Sequence, residues 1–362
     1  MSDFNKNKKI IFLAGSGSGG PVTPLLALAR YMRQDFNFVF IGTRKGPERG
    51  LAEAETSAGT SLVFKAISGG KWRRYFSWRN FFDIFRLGLG FFQSFGLIWR
   101  YRPAAVASAG GFVAVPLVFA AWCCRVPILV HQQDVRPGLA NRLCAPFATV
   151  ITVTFAASRK AFGPRARVTG NPVRLHDIKH DAIIRQRYNL DDKKPLLLVL
   201  GGGTGAVAVN VLLANAQKQL LKYFQIIHLT GLSKIGAPAA AGYQAFDFLP
   251  HDRLLGLLAA ADIVVSRCGL GALSEISTLG KPSVLIPIPN SHQEDNAQVF
   301  KAADAAIVLD QRQIIGPDLA RAIIGLWQNK KQLQELRLNS KNLVPVGTSK
   351  VADILKSLTL AD

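Results

Sequence analysis

Acidic residues are scarce: 23 Asp and Glu stand against 44 Lys and Arg in 362 residues, a formal charge of +21. The shortage is local. Residues 1–168 hold 7 acids against 23 basic residues, while the rest holds 16 against 21. Such asymmetry excludes an acidic, solvating chain and suits one half to an anionic partner: nucleic acid, phosphorylated ligands or an acidic membrane face. Cysteine is also rare. Cys123, Cys124, Cys144 and Cys268 form no CxxC pair, which argues against a disulfide scaffold or a zinc ribbon and fits reduced thiols in the cytosol. Low-complexity tails are missing, and 49% apolar with 19% charged residues excludes disorder. The N-terminus "MSDFNKNKK" has a basic start, but the apolar run after it is short and ends in glycines, so no signal peptide is read there. One uncharged run, Pro103 to Cys124, has the length of a membrane span. Gly110-Gly111 and Pro116 break it, so a buried strand, a turn and a buried helix are expected instead.

What is present is alternation. Twelve apolar, β-rich runs are separated by helical patterns: "KIIFLAG", "FNFVFIG", "SLVFKAI", "AAVASAG", "VPILVHQ" and "TVITVTF", then "PLLLVLGG", "FQIIHLTG", "YQAFDFL", "ADIVVSR", "KPSVLIPI" and "AAIVLD". Runs without polar alternation are strands covered on both faces, hence parallel sheets with helical crossovers. The predicted fold class is α/β, two Rossmann-like doubly wound domains facing a cleft. The expected division is 1–168 and 169–344, with a hinge in "VTGNPVR" and a C-terminal helix in 345–362 packing back on the first domain.

Each half opens with a strand and a glycine-rich turn. "AGSGSGGPVTP" offers unhindered backbone N–H groups at a helix start, suited to a phosphate or sugar hydroxyl. It also matches the dinucleotide fingerprint Gly15-x-Gly17-x-x-Gly20. The second strand, however, ends in Thr43, Arg44 and Lys45, without the acid that would hold a nicotinamide ribose. "GGGTGA", with Gly203 and Thr204 at its centre, is a similar cradle with no Walker lysine, which excludes a P-loop NTPase. In "SRCGLGALSEISTLGKPSVLIPIPNSHQEDNAQ" a helix is expected from about Ala272, with Ser274 and Glu275 in its first turn. Its N–H groups suit a diphosphate, and Glu275 could accept both hydroxyls of a ribose or serve only as a partner of the helix dipole. His292 and Gln293 follow as hydrogen-bonding candidates for a sugar. "HQQDVRPGLANR" directly follows a strand, where open α/β sheets bind ligands, making His131 and Asp134 candidates, though His131 could equally be structural.

Residues 71–102 carry one acid, Asp83, among seven basic residues. Trp78, Phe81, Phe82, Phe85, Leu89 and Phe92 share one helical face, and Phe91, Phe95 and Ile98 lie off it. A core helix needs one apolar stripe; the surplus aromatics with flanking arginines read as interfacial membrane contact. No recognised nucleic-acid motif is present.

Taken in order, these motifs, together with "FIGTRKGPE" and "SAGGFVAVP", resemble the MurG family of bacterial UDP-N-acetylglucosamine transferases over nearly the whole chain. The resemblance implies an inverting glycosyltransferase. Its N-terminal domain would take lipid I, its C-terminal domain UDP-GlcNAc, and GlcNAc would pass to the MurNAc C4 hydroxyl, forming lipid II. It implies Ser18, Gly19 and Gly20 in the acceptor turn, Arg174 against the leaving UDP and Leu249 near the uracil. Leu270, Gly271, Ala272, Leu273, Ser274 and Glu275 would surround the diphosphate and ribose, with Glu275 also expected among the catalytic residues and Gln293 on the sugar. No metal or other cofactor and no nucleic acid are expected. The setting is the cytoplasmic face of the membrane, peripherally bound. Three motifs depart from the family. Pro21 stands where its first loop keeps a histidine, a candidate general base. His131-Gln132-Gln133-Asp134 replaces its His-Glu-Gln-Asn, and Gly203 replaces a serine. Asp134 is the expected replacement base. A transferase with another lipid or glycan acceptor, and a catalytically silent UDP-sugar-binding protein, stay open as alternatives.

Overall fold

The computed structural model describes residues 4–17, 19–70, 78–174, 181–202, 205–232 and 234–360, with side chains from 78–84 and 181–182 left aside. The chain forms two compact units, Met1–Arg174 with Val346–Asp362, and Leu175–Pro345.

The first unit contains β1 (Lys9–Gly15), α1 (Thr23–Tyr31), β2 (Phe36–Gly42), α2 (Glu48–Ser57), β3 (Leu62–Ala66), α3 (Trp78–Tyr101), β4 (Ala105–Gly110), α4 (Ala114–Cys123), β5 (Ile128–Gln132), α5 (Leu139–Cys144), β6 (Val150–Val153), α6 (Ala156–Arg159) and β7 (Ala166–Val168). The second contains α7 (Asp181–Arg187), β8 (Leu196–Leu200), α8 (Val207–Leu220), β9 (Gln225–Leu229), β10 (Tyr243–Phe246), α9 (His251–Ala260), β11 (Ile263–Ser266), α10 (Leu270–Thr278), β12 (Ser283–Leu285), α11 (His292–Ala302), β13 (Ile307–Val308), α12 (Gly316–Gln328) and α13 (Lys330–Ser340). The last helix, α14 (Thr348–Leu358), belongs to the first unit.

The sheet orders are β3-β2-β1-β4-β5-β6-β7 and β10-β9-β8-β11-β12-β13, and the strand pairs are parallel. The fold is therefore two doubly wound α/β sheets, as expected. In each, the order reverses between the first strand and the fourth (β1/β4 and β8/β11), which opens a crevice at the carboxyl ends of those strands. Each glycine-rich turn leaves the strand at that point.

Alternation along β1 shows why the apolar runs are unbroken. Ile11 and Leu13 enter the core under α1 and α14, while Phe12 and Ala14 enter the opposite core under α3 and α4. Val351, Ala352 and Leu355 of α14 are fully buried in the first of these cores. The division falls after Arg174, not after Val168 as expected. Asn171 forms a bridge to Val346, and Val173 N–H donates to Thr348 Oγ1 at 2.9 Å, so 169–174 are held in the first unit. The uncharged run becomes β4 and α4. Among the described residues no helix is long and apolar enough to cross a membrane.

The described part of the α3 stripe turns outward, while the side chains of Trp78, Phe81 and Phe82 lie outside the described residues. Phe85, Leu89 and Phe92 are exposed, and the inward positions are Gly90, Ser94, Ile98 and Tyr101. Gly90 lets the helix approach the Ser68 carbonyl, and Ser94 Oγ donates back to the Gly90 carbonyl at 2.7 Å. Small residues make the first half of this face, and Ile98 and Tyr101 the second.

Candidate functional site

In the second unit the crevice is built at α10. Gly269 is extended (φ −70°, ψ 134°) and caps the helix, and Leu273 N–H donates to its carbonyl at 3.1 Å. The expected helix start near Ala272 is thus corrected to Leu270. The amides of Leu270, Gly271 and Ala272 precede the first intrahelical bond and are the orphan donors of the helix. Glu275 falls in the second turn, too far along to serve as a first-turn dipole partner. It is buried, and Oε1 lies 3.7 Å from His251 Nε2 at the start of α9. Ser274 Oγ donates to the Leu270 carbonyl at 2.7 Å, and Leu270 and Leu273 are buried beneath the turn.

Gln293 is the tie. Its Oε1 accepts from Cys268 N–H at 3.1 Å and Ile288 N–H at 3.2 Å, joining the ends of β11 and β12. Its Nε2 lies beside Gly269, 3.9 Å from where a β-carbon would stand. With the oxygen committed to backbone, the amide offers a ligand its N–H groups. Asn296, fully buried, donates to the Cys268 carbonyl at 3.0 Å. Ser291 caps α11, and His292 beside it is exposed. Burial pushes the Cys268 thiol up to about 12, so it stays protonated next to the crevice.

Leu249 is buried and lines an open cleft of about 700 Å³ with Tyr188, Phe246, Phe248 and Arg253. At the second glycine turn Gly205 has φ +69° and packs against the Thr230 carbonyl, where no side chain fits. Lys234 Nζ donates to the Gly205 carbonyl at 2.9 Å, bringing to this turn a lysine that its own sequence lacks. Gly203 and Thr204 lie outside the described residues, as does Ser18.

In the first unit Gly19 accepts from Val22 N–H and Thr23 N–H at 3.2 and 3.0 Å, and nothing crowds its α-carbon. Gly19 and Gly20 are half-buried. Pro21 sits in the turn, and the proline in the first helical turn is Pro24. Gly111 (φ +93°) passes directly over the Ser16 backbone, and Ser16 Oγ accepts from Val113 N–H at 3.3 Å, closing β1 onto β4.

His131 proves structural. It is fully buried between Thr152 Oγ1 (3.0 Å from Nδ1) and Asn171 Oδ1 (3.1 Å from Nε2), and burial lowers its pKa to about 4. Gln132 shapes the loop that follows. Nε2 donates to the carbonyls of Asp134 (2.8 Å) and Arg136 (3.3 Å), and Oε1 accepts from Asn141 Nδ2 at 2.8 Å. Ser158 Oγ also donates to the Asp134 carbonyl at 3.3 Å. Asp134 is half-buried on a loop held from two sides. Arg174 is nearly buried in the first unit, with Nη1 3.0 Å from Glu55 Oε2, while Arg30 Nε lies 3.5 Å from Glu55 Oε1.

Two parallel sheets wound alike, each with a glycine turn at its reversal point, make a GT-B-like fold, and the family models define it as a glycosyltransferase. Residues 11–153 match the glycosyltransferase family 28 N-terminal domain and residues 196–358 its C-terminal domain. A Legionella pneumophila (strain Paris) protein named UDP-N-acetylglucosamine--N-acetylmuramyl-(pentapeptide) pyrophosphoryl-undecaprenol N-acetylglucosamine transferase is 35% identical, covering 96% of each chain. A Clostridium kluyveri protein of the same name is 37% identical over 85% of this chain and 88% of its own. The crystal structure of Acinetobacter baumannii MurG superimposes with a TM-score of 0.71 at 24% identity, over 96% of this chain and 99% of that one. The chain belongs to glycosyltransferase family 28 and, within it, to the MurG family.

Proposed function

We propose that this chain transfers GlcNAc from UDP-GlcNAc to the C4 hydroxyl of the MurNAc in lipid I, forming lipid II for peptidoglycan. The observation that carries the reading is the constellation at α10: three orphan amides, a buried Glu275 and a Gln293 amide held with its N–H groups toward Gly269. The amides of Leu270, Gly271 and Ala272 receive the diphosphate, Glu275 the ribose hydroxyls, Gln293 an accepting oxygen of the sugar, and the Leu249 segment the uracil. As the acceptor oxygen attacks the anomeric carbon, the bond to the phosphate oxygen breaks. UDP leaves with the electron pair, and α10 meets the charge that develops.

The first unit is assigned the acceptor. Gly19 and Gly20 present backbone to it, and Asp134 takes the hydroxyl proton in place of the histidine that Pro21 replaces. Arg174, engaged by Glu55, anchors the chain where it leaves this unit. The same unit carries a basic aromatic face. Phe92 is 71% and Trp99 76% exposed on α3, with Phe119 and Trp122 on α4 beside them. Arg100 and Arg102 line a cleft with Trp99. An anionic lipid surface is the partner that this combination fits, and it supports a peripheral enzyme on the cytoplasmic leaflet.

The test is transfer of labelled GlcNAc from UDP-GlcNAc to a lipid I analogue, with other lipid-linked acceptors and a Pro21→His variant alongside. Lipid II formation supports the proposal. Transfer only to another acceptor, or UDP-GlcNAc binding with no turnover, overturns it. Pro21 gives the silent-protein alternative its footing, and a large gain in Pro21→His would favour it.

A further inference from the structure

Arg267 follows β11 and stands two residues before the helix cap Gly269. It is 7% exposed. Its partners are all neutral: Nη1 donates to the carbonyls of Ile286 (3.0 Å) and Pro287 (3.2 Å), and Nη2 donates to Gln311 Oε1. Its Nε has no hydrogen-bond partner. The acid next to Gln311, Asp310, is itself taken by Arg312 at 2.8 Å, in an exposed cluster with Glu294. Burial holds the Arg267 guanidinium below the usual arginine range, yet an arginine keeps its proton in a protein. A buried cation without a carboxylate is costly, and folds normally pair it. Among the described residues no carboxylate pairs with Arg267.

Arg267 binds the segment just before Ile288, and Ile288 N–H and Cys268 N–H converge on Gln293 Oε1. The guanidinium is therefore tied to the chain leaving β12 and β13, the segment that carries Ile288 to Gln293. We propose that Arg267 is a positioning residue that supplies the fixed positive charge for the diphosphate of the donor. This rests on the UDP-sugar reading above and adds to it: the second unit selects a charged nucleotide over the bare nucleoside through a buried cation, not through a surface lysine or a metal-binding carboxylate pair. The guanidinium acts through the field it adds to the α10 amides and by holding the 286–288 segment that orients Gln293.

The experiment compares UDP with uridine on the full chain, by competition in ligand-observed NMR. Wild type binds UDP more tightly than uridine. Arg267→Met lowers the UDP-to-uridine affinity ratio by about tenfold or more and leaves uridine within about twofold, while Arg267→Lys retains most of the ratio. A merely structural role predicts that UDP and uridine weaken together; that result, or an unchanged ratio, overturns the proposal. Where Arg267→Met fails to fold, Gln311→Leu decides: it removes a neutral partner and leaves the charge, so the ratio holds or rises, and a fall for both ligands overturns it. If wild type binds UDP but the variants follow neither pattern, the donor reading survives and this inference does not. If wild type binds neither ligand, both fall.

Discussion

Gln293 Oε1 stands 3.1 Å from the backbone amide of Cys268 and also accepts from Ile288, so one side-chain oxygen fastens two strand ends. The polarity of the amide toward a ligand is fixed by that tie. Gln293→Glu keeps an oxygen for both N–H groups but replaces the outward donor with negative charge beside the diphosphate. The expected outcome is an unfolding midpoint close to wild type and a KM for UDP-GlcNAc raised about tenfold or more. Gln293→Leu leaves two N–H groups without their acceptor and should cost about 1–3 kcal/mol in denaturant unfolding for each one left orphaned.

Asp134→Asn is expected to lower kcat about 10²–10⁴-fold with UDP-GlcNAc affinity preserved, the mark of a lost general base. The check is a steady-state assay with lipid I beside a UDP-GlcNAc binding measurement. Full turnover in this variant would remove Asp134 from the chemistry.

Ile98 and Trp99 are neighbours with opposite fates. Ile98 is buried in the first core, and Trp99 is exposed. Ile98→Ala should cost about 2–5 kcal/mol of stability. Trp99→Ser together with Phe92→Ser should leave stability within about 0.5 kcal/mol per site. The same pair should weaken binding to vesicles of anionic lipid, read by sedimentation. Loss of stability without loss of vesicle binding would count against the membrane face.

Acid should destabilise both units. Burial lowers His131 and His228 each to about 4 from an ordinary 6.5. Between those values the unfolded chain binds more protons than the folded one, so stability is full above pH 6.5 and is lost as pH falls toward 4. The loss approaches roughly 3 kcal/mol per histidine at about 1.4 kcal/mol per pH unit. Denaturant melts at pH 7, 5.5 and 4.5 check the sign. The His131→Gln variant should flatten its share of the slope.

Among the described residues twelve of thirteen strands were legible, because most are covered on both faces and leave apolar runs. The strand that escaped, β7, is three residues long with Arg167 and Val168 exposed, so it writes no such run. The glycine turns were legible as phosphate cradles because close backbone approach needs glycine. Side-chain partnerships were not. Glu55 and Arg174 lie 119 positions apart, and no local spacing announces their contact. The inward face of α3 was only partly legible: Ile98 and Tyr101 are apolar, but Gly90 and Ser94 make a close approach that hydrophobicity does not register. His251 and Lys234 sit in loops and helix starts where a lone basic residue carries no pattern, and only the fold brings them to Glu275 and Gly205.

The path of the chain through the first unit has a consequence for synthesis. Val351, Ala352 and Leu355 of α14 cover the face that α1 and β1 present, and Asn171 meets Val346. The earlier part of that unit therefore leaves the ribosome with an apolar face bare, and waits for the whole of Leu175–Pro345 to be translated before its last helix arrives. The half-made product is the species expected to aggregate. A shortened gene joining Arg174 to Val346 would supply α14 early and spare the nascent chain that wait.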